Sequence, residues 1–397
     1  MNFVGNEFYK LNQHLLVLVG LWPYDNLSFK YYQRIFCNIT IAIMVVCQTA
    51  KLITFRRNIN LILKLLPPVV FCFICIIKYQ TFYIVAEKVR YLMDHVEQDW
   101  NMLKDKKELE IIEKYTYIGS MCTLGFTILG LTGLFIVISS PFIIPIILDI
   151  FVPLNHSRPQ QLLFPGEYFI DQQKYFYFIF LHFNITVAIV LTILISTESL
   201  YVTHVLHACG MFQIASYRMN RAFDNKLLKI CTSEKRAIIV CKGIIEAVYI
   251  HKRAIEFSEF LWSTFSTSYC ILLVFGITSL LINLFCLFQA VLFMKGMNDI
   301  IILIIFNFGH FFYLFLGNYV GQILIDHSVS ILENIYIARW YGAPLQAQRL
   351  LPIIMQRSMR SCKMVVGGMF VPSYEGFAAV NVMTYVSQAF LYINIIY

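Results

Sequence analysis

Long apolar runs separated by short polar segments set the pattern of this chain. Runs of about 20 residues or more, enough to cross a bilayer, recur seven times, near 34–54, 61–85, 116–148, 175–208, 262–294, 300–325 and 371–396. The pattern predicts an all-α integral membrane protein with seven transmembrane helices. Pro67-Pro68 falls inside the second run and Pro141 and Pro145 inside the third. Such breaks are tolerated in a bilayer where neighbouring groups satisfy the freed carbonyls. The apolar stretch Leu15–Trp22 is too short to span and lacks a small-residue cleavage site, so it reads as an amphipathic N-terminal segment. No internal repeat stands out, which disfavours a transporter built from duplicated halves.

The polar segments set the orientation. With the N-terminus cytoplasmic, 23 of the 31 Lys and Arg fall on the inner side and seven on the outer, with Lys78 inside a span. Basic residues favour the cytoplasm, so the expectation is a cytoplasmic N-terminus and an extracellular C-terminus. Asn155, in the sequon Asn155-His156-Ser157 of the longest outer loop, is then a glycosylation candidate. The loop 87–114 mixes charge signs as a solvated helical extension would. In 233–261, Ser233 is placed to cap a helix, and Ile238, Cys241, Ile245, Val248 and Tyr249 recur at helical spacing. The fifth span therefore continues into the cytoplasm with an apolar stripe that requires a protein partner.

Composition narrows the chemistry. Hydrophobic residues make up 59% and charged residues 14%, a balance foreign to soluble domains. The net charge of +8 comes without a basic run or nucleic-acid motif, and flanking of spans explains it. No nucleophile, metal-ligand or phosphate-binding constellation appears, so neither an enzyme nor a metal or cofactor is expected. Cys72 and Cys75 have CxxC spacing but no second pair, and read as buried thiols. The intramembrane His182, His204, His207 and His310 lack evident carboxylate partners and read as hydrogen bonds between helices. His310 sits among Phe306, Phe308, Phe311 and Tyr313 and is also a candidate polar anchor for a small organic ligand. Aromatics reach 16%, and most suit an interfacial belt. Phe73, Phe135 and Phe183, with Thr132, Ser139 and Thr186 as sparse polar points, are candidates to line an apolar pocket in the outer half of the spans. Such a lining suits a volatile or lipid-like molecule.

Near the end of the chain, Thr384, Gln388 and Leu391 share one helical face, with Tyr392 beside them. Two rival classes are a metabotropic (G-protein-coupled) chemoreceptor and a membrane transporter. The first is disfavoured by the inside N-terminus, by the absence of cysteine in 151–174, and by the missing DRY and NPxxY motifs.

Several stretches resemble insect odorant receptors, in particular the hymenopteran type of odour-tuning subunit. They are LVGLWPYDN (Leu18–Asn26), FPGEYFIDQQKYFYFIFLH (Phe164–His182), LHACGMFQIASYRM (Leu206–Met219), IARWYGAPLQAQRLLPIIMQRS (Ile337–Ser358) and MVVGGMFVPSYEGFAAV (Met364–Val380). The resemblance runs nearly end to end. It implies a subunit of an odorant-gated cation channel in the plasma membrane of olfactory sensory neurons, assembled as a heterotetramer with an odorant co-receptor. It further implies an odour pocket in the outer half of the bundle and a cytoplasmic subunit anchor over about 206–261 and 326–370, including Arg339, Trp340 and Tyr341. The last helix is implied to line the pore, with Thr384, Gln388, Leu391 and Tyr392 at the pore and gate. The ending departs from the co-receptor pattern, with Leu391-Tyr392 where Gln-Phe is usual, and the long co-receptor insertion is missing. Both departures imply a tuning subunit.

Overall fold

Eleven α-helices are present in the computed structural model, which describes residues 4–54, 59–151, 162, 166–223, 233–292, 297–337 and 340–396. They are α1 Lys10–Leu18, α2 Leu27–Thr54, α3 Ile59–Ile84, α4 Ala86–Met102, α5 Lys106–Phe151, α6 Phe176–Ala222, α7 Ser233–Leu292, α8 Met297–Ile337, α9 Leu345–Gln348, α10 Leu351–Ser358 and α11 Tyr374–Ile396. Among the described residues six helices are long and apolar enough to cross a membrane, namely α2, α3 and α5 to α8. The seventh expected run coincides with α11, 23 residues long. Asn155 and Arg339 lie outside the described residues.

The spans are continuous despite their polar and Pro positions, for two local reasons. Thr and Ser inside the spans turn their hydroxyls onto their own helix: Thr40 donates to Phe36 O at 2.8 Å, Thr123 to Gly119 O at 2.9 Å and Thr192 to Ala188 O at 2.8 Å. A hydroxyl satisfied in this way no longer demands water. Pro67 and Pro68 stay inside α3, and Pro141 and Pro145 inside α5, each removing one N–H donor without ending the helix.

Several helices outrun the bilayer. α7 runs without a break over the 60 residues Ser233–Leu292, so 233–261 and the fifth span are one helix. The loop 87–114 is more structured than a solvated extension. Within it α4 buries Val89, Leu92, Met93, Val96, Asp99 and Trp100 on one face. α6 is the central post and touches α1, α2, α3, α5, α7 and α8. Its C-terminal part, His204 to Ser216, is buried nearly all round. Outside the bilayer each fully buried Leu or Phe contributes roughly 1.5–3 kcal/mol by leaving water. Inside the bilayer that drive is missing, and packing and hydrogen bonds take over.

Two close approaches fix the end of the chain. A Cβ on Gly321 of α8 would lie 2.3 Å from Pro372 O, so only glycine admits the segment before α11. That segment is a small hairpin in which Gly367 and Gly368 take φ of +57° and +75°. Val366 N–H donates to Phe370 O at 2.7 Å across it. Two successive left-handed residues are what a tight turn of this hand requires, and glycine supplies them without strain.

Candidate functional site

Four spans bring polar groups to one point inside the bundle. Lys78 of α3 pairs with Glu198 of α6. Tyr313 of α8 donates to Glu198 Oε1 at 2.7 Å, and Tyr269 of α7 to Oε2 at 3.4 Å. The Lys78 ammonium also lies 5.5 Å from the centroid of the Tyr269 ring and 5.6 Å from that of Tyr313. Tyr201 packs against Tyr269 with 5.0 Å between centroids. The lysine side chain is 5% exposed and the glutamate 20%. A lone charge there would be prohibitively expensive, while a hydrogen-bonded pair is sustainable. The arrangement ties α3, α6, α7 and α8 together and offers phenolic hydroxyls and a carboxylate edge within an apolar shell.

Toward the outer end, Met44, Cys72 and Phe183 form a separate buried cluster with Val137, Leu162 and Val187 around it. The segment 166–168 straps it from above. Glu167 N–H donates to Cys47 O at 2.8 Å, Lys51 bonds the Glu167 carboxylate at 3.0 Å, and the Tyr168 hydroxyl lies 3.2 Å from His182 Nδ1. The Lys51 contact holds the Glu167 carboxyl below its ordinary pKa.

The expected pocket residues divide. Phe183 and Thr186 are buried, with the Thr186 hydroxyl bonded to His182 O at 2.8 Å. Phe73 is partly open, whereas Phe135, 68% exposed, turns away from its own bundle. Thr132 is exposed beside it and Ser139 is half-buried. The hydroxyls of Thr132 and Ser139 bond back to Ile128 O and Ile136 O. Phe306 and Phe311 are half-buried. His310 Nδ1 donates to Phe306 O at 2.9 Å, which leaves Nε2 to accept from the Ser279 hydroxyl, also at 2.9 Å. Both ring nitrogens are thereby taken up in joining α8 to α7.

Two readings need correction. His207 does have a carboxylate partner: Nε2 lies 2.9 Å from Asp99 Oδ2, with Arg253 on the other oxygen of the same carboxylate. The acid comes from α4, 108 residues away, so proximity in sequence could not reveal it. Thr384 is 2% exposed and bonds Val380 O at 2.7 Å, and Val380 packs with Leu280 and Leu314. That face looks into its own bundle, which turns Thr384 away from the surface that α11 leaves open. The outward face of α11 instead carries Val382, Met383, Tyr385 and Val386. The side chains of Gln388, Leu391 and Tyr392 lie outside the described residues.

After α8, Trp340 and Tyr341 pack edge to face at 6.3 Å and are exposed, as are Tyr336, Ile337 and Leu345 nearby. Ile238, Ile245 and Tyr249 of α7 are likewise exposed. The ten described cysteines are free, with Cys72 and Cys75 buried. Among the described residues no group of His, Cys, Asp or Glu is arranged to hold a metal ion.

Against known proteins, the family described as 7tm Odorant receptor matches residues 58–385. The chain belongs to the odorant receptor family. Two solved structures of the insect olfactory receptor OR5 from Machilis hrabei have its fold. The one in complex with eugenol has a TM-score of 0.75 at 11% identity and covers 98% of each chain. The other has a TM-score of 0.73 at 12% identity and covers 97% of each chain. Among curated proteins none matches the sequence. For an odorant receptor the ion pair is the feature that reading by motif missed. Its signal was present: one acid, Glu198, alone in its apolar span, and one lysine, Lys78, deep inside another.

Proposed function

We propose that this odorant receptor is an odour-tuning subunit that binds a small, largely apolar odorant in the outer half of its bundle and gates a cation pore in a heterotetramer with an odorant co-receptor. The observation that carries the reading is the convergence of Lys78, Glu198, Tyr269 and Tyr313 from four spans. A ligand lodged above it, near Phe183 and Thr186, meets an apolar wall and a hydrogen-bonding floor. The likeness to a receptor solved with eugenol supports a ligand of that size, an aromatic ring with one or two polar groups. Occupancy gates only if the ligand favours the open arrangement over the closed one.

The exposed aromatic surface at Trp340 and Tyr341 and the outward stripe Ile238, Ile245 and Tyr249 support a subunit partner on the inner side. The pore-facing role passes to Val382, Met383 and Val386, the part of α11 that its own bundle leaves uncovered. Plasma-membrane placement in olfactory sensory neurons belongs to the same reading. Whole-cell recording with and without co-receptor tests it. Odorant-gated cation current should require both chains, and Met383→Gln should change permeation with the odour ranking preserved. Robust current from this chain alone would refute the heteromer. Unchanged conductance in Met383→Gln would remove that face from the pore.

A further inference from the structure

At the opposite end of the bundle from the strap, the start of α2 and the end of α3 border an open, shallow recess of about 460 Å³ lined by Ser28, Lys30, Tyr31, Tyr32, Arg34 and Tyr83. Lys30 is 5% exposed, yet its ammonium makes no ion pair or hydrogen bond with a described residue. Arg34 and Arg90 bring further positive charge to bear on it, and Asp25 acts on it from beyond ion-pair reach. Arg34 is held ready: Nε donates to Gly20 O at 3.2 Å and the guanidinium stacks 4.1 Å from the centroid of the Tyr83 ring. The terminal nitrogens of Arg34 have no bond to a described residue. The first turn of α2 adds the positive end of its dipole. Beside the recess, Phe36, Ile39 and Ile43 form an exposed apolar strip rising along α2.

We propose that this recess binds the phosphate of an anionic phospholipid, with the headgroup between Lys30 and Arg34 and the acyl chains along the Phe36, Ile39 and Ile43 strip. A lysine with a buried stem whose unpaired ammonium opens onto the recess favours an anion, and a preorganised guanidinium beside it suits phosphate oxygens. The aromatic rim lies where aromatic side chains meet the headgroup layer. In the N-inside orientation the recess faces the leaflet that carries acidic lipid. The inference is independent of the odorant reading, since none of its residues is in the ion-pair cluster or the outer pocket.

The test uses the full chain, purified and delipidated in detergent, titrated with short-chain phosphatidylserine or phosphatidylcholine, with retained lipid read by native mass spectrometry. The serine lipid should be held in preference to the choline lipid. Each basic residue near an anionic headgroup contributes roughly five-fold in affinity, so Lys30→Gln should lower serine-lipid retention about five-fold and Lys30→Gln/Arg34→Gln about 25-fold. Lys30→Arg should retain it, and Lys252→Gln, at an exposed surface pair, should leave it unchanged. If the double variant is not monodisperse, the single one carries the test. Equal retention of the two lipids, or unchanged binding in Lys30→Gln, would overturn the proposal. So would inorganic phosphate that binds alone and displaces the lipid, which would make this a site for free anions. A photoreactive side chain at Tyr32 should crosslink to lipid in cells. Crosslinks to protein would mean that an acidic partner fills the recess, and would overturn it too.

Discussion

Replacing Lys78 with methionine keeps the length of the side chain and removes its charge, leaving Glu198 among phenols in the middle of the bundle. Two unit charges 4 Å apart at an effective dielectric of 20 attract by about 4 kcal/mol. Breaking a buried pair by removing one partner typically destabilises by about 3–5 kcal/mol. Glu198 is one-fifth exposed and keeps the hydroxyl of Tyr313 at 2.7 Å. A charged hydrogen bond of that kind recovers roughly 1.5–3 kcal/mol. The net loss expected for Lys78→Met is therefore about 2 kcal/mol. Lys78→Met/Glu198→Gln removes both charges, leaves an amide that still accepts from the tyrosines, and should lose less than about 1 kcal/mol. The assay is the thermal midpoint of the purified receptor, followed by size-exclusion chromatography, for wild type, both single variants and the double variant. The expected signature is a double variant more stable than Lys78→Met. A double variant whose loss equals the sum of the two single losses would refute a direct coupling between these side chains.

Three further outcomes are expected. The Glu167 carboxyl is depressed in the fold by Lys51, so its contribution is complete above the ordinary glutamate range near about pH 4.3 and is lost as pH falls through the lower folded value. The protection factor of the Glu167 amide, bonded to Cys47 O, should fall in that acid window, and Lys51→Met should remove that change in protection. In the inner region, Asp99→Ala strands His207 and Arg253. A loss of about 3–5 kcal/mol should appear as reduced surface expression, and normal yield would refute it. Gly321→Ala places a Cβ 2.3 Å from Pro372 O, a backbone clash that side-chain movement cannot relieve. The prediction is a shifted α11 and altered basal current, read by voltage clamp against wild type.

Much of the architecture was legible because it rests on local rules. Hydrophobic length marks spans, and the stripe after Ser233 shows which side of α7 lacks cover. Direction was harder. Helical spacing puts Thr384 on one face with Gln388 and Leu391, yet it cannot say whether Thr384 meets a pore or its own chain. The packing of Val380 against Leu280 and Leu314 decides this, through residues about 100 and 66 positions away. The same limit applies to Phe135, whose aromatic character suited a pocket while its rotation about α5 turns it outward. Long-range charge pairs were the other blind spot. Asp99 with His207 and Lys78 with Glu198 join segments more than 100 residues apart, and only for the second pair does a place deep in an apolar span hint at a partner.

The unbroken α7 has a mechanical consequence. At 1.5 Å per residue its 60 residues extend about 90 Å, three times the thickness of the hydrocarbon core. A rod of that length without a Pro kink or loop transmits movement as a lever does. Pivoted at one end, a tilt of about 3° displaces the other by about 5 Å over that length. Sub-ångström rearrangements around Tyr269 therefore need no relay of contacts to reach the far end of the subunit. They need only a fulcrum, and the tightly packed inner half of α6 supplies one.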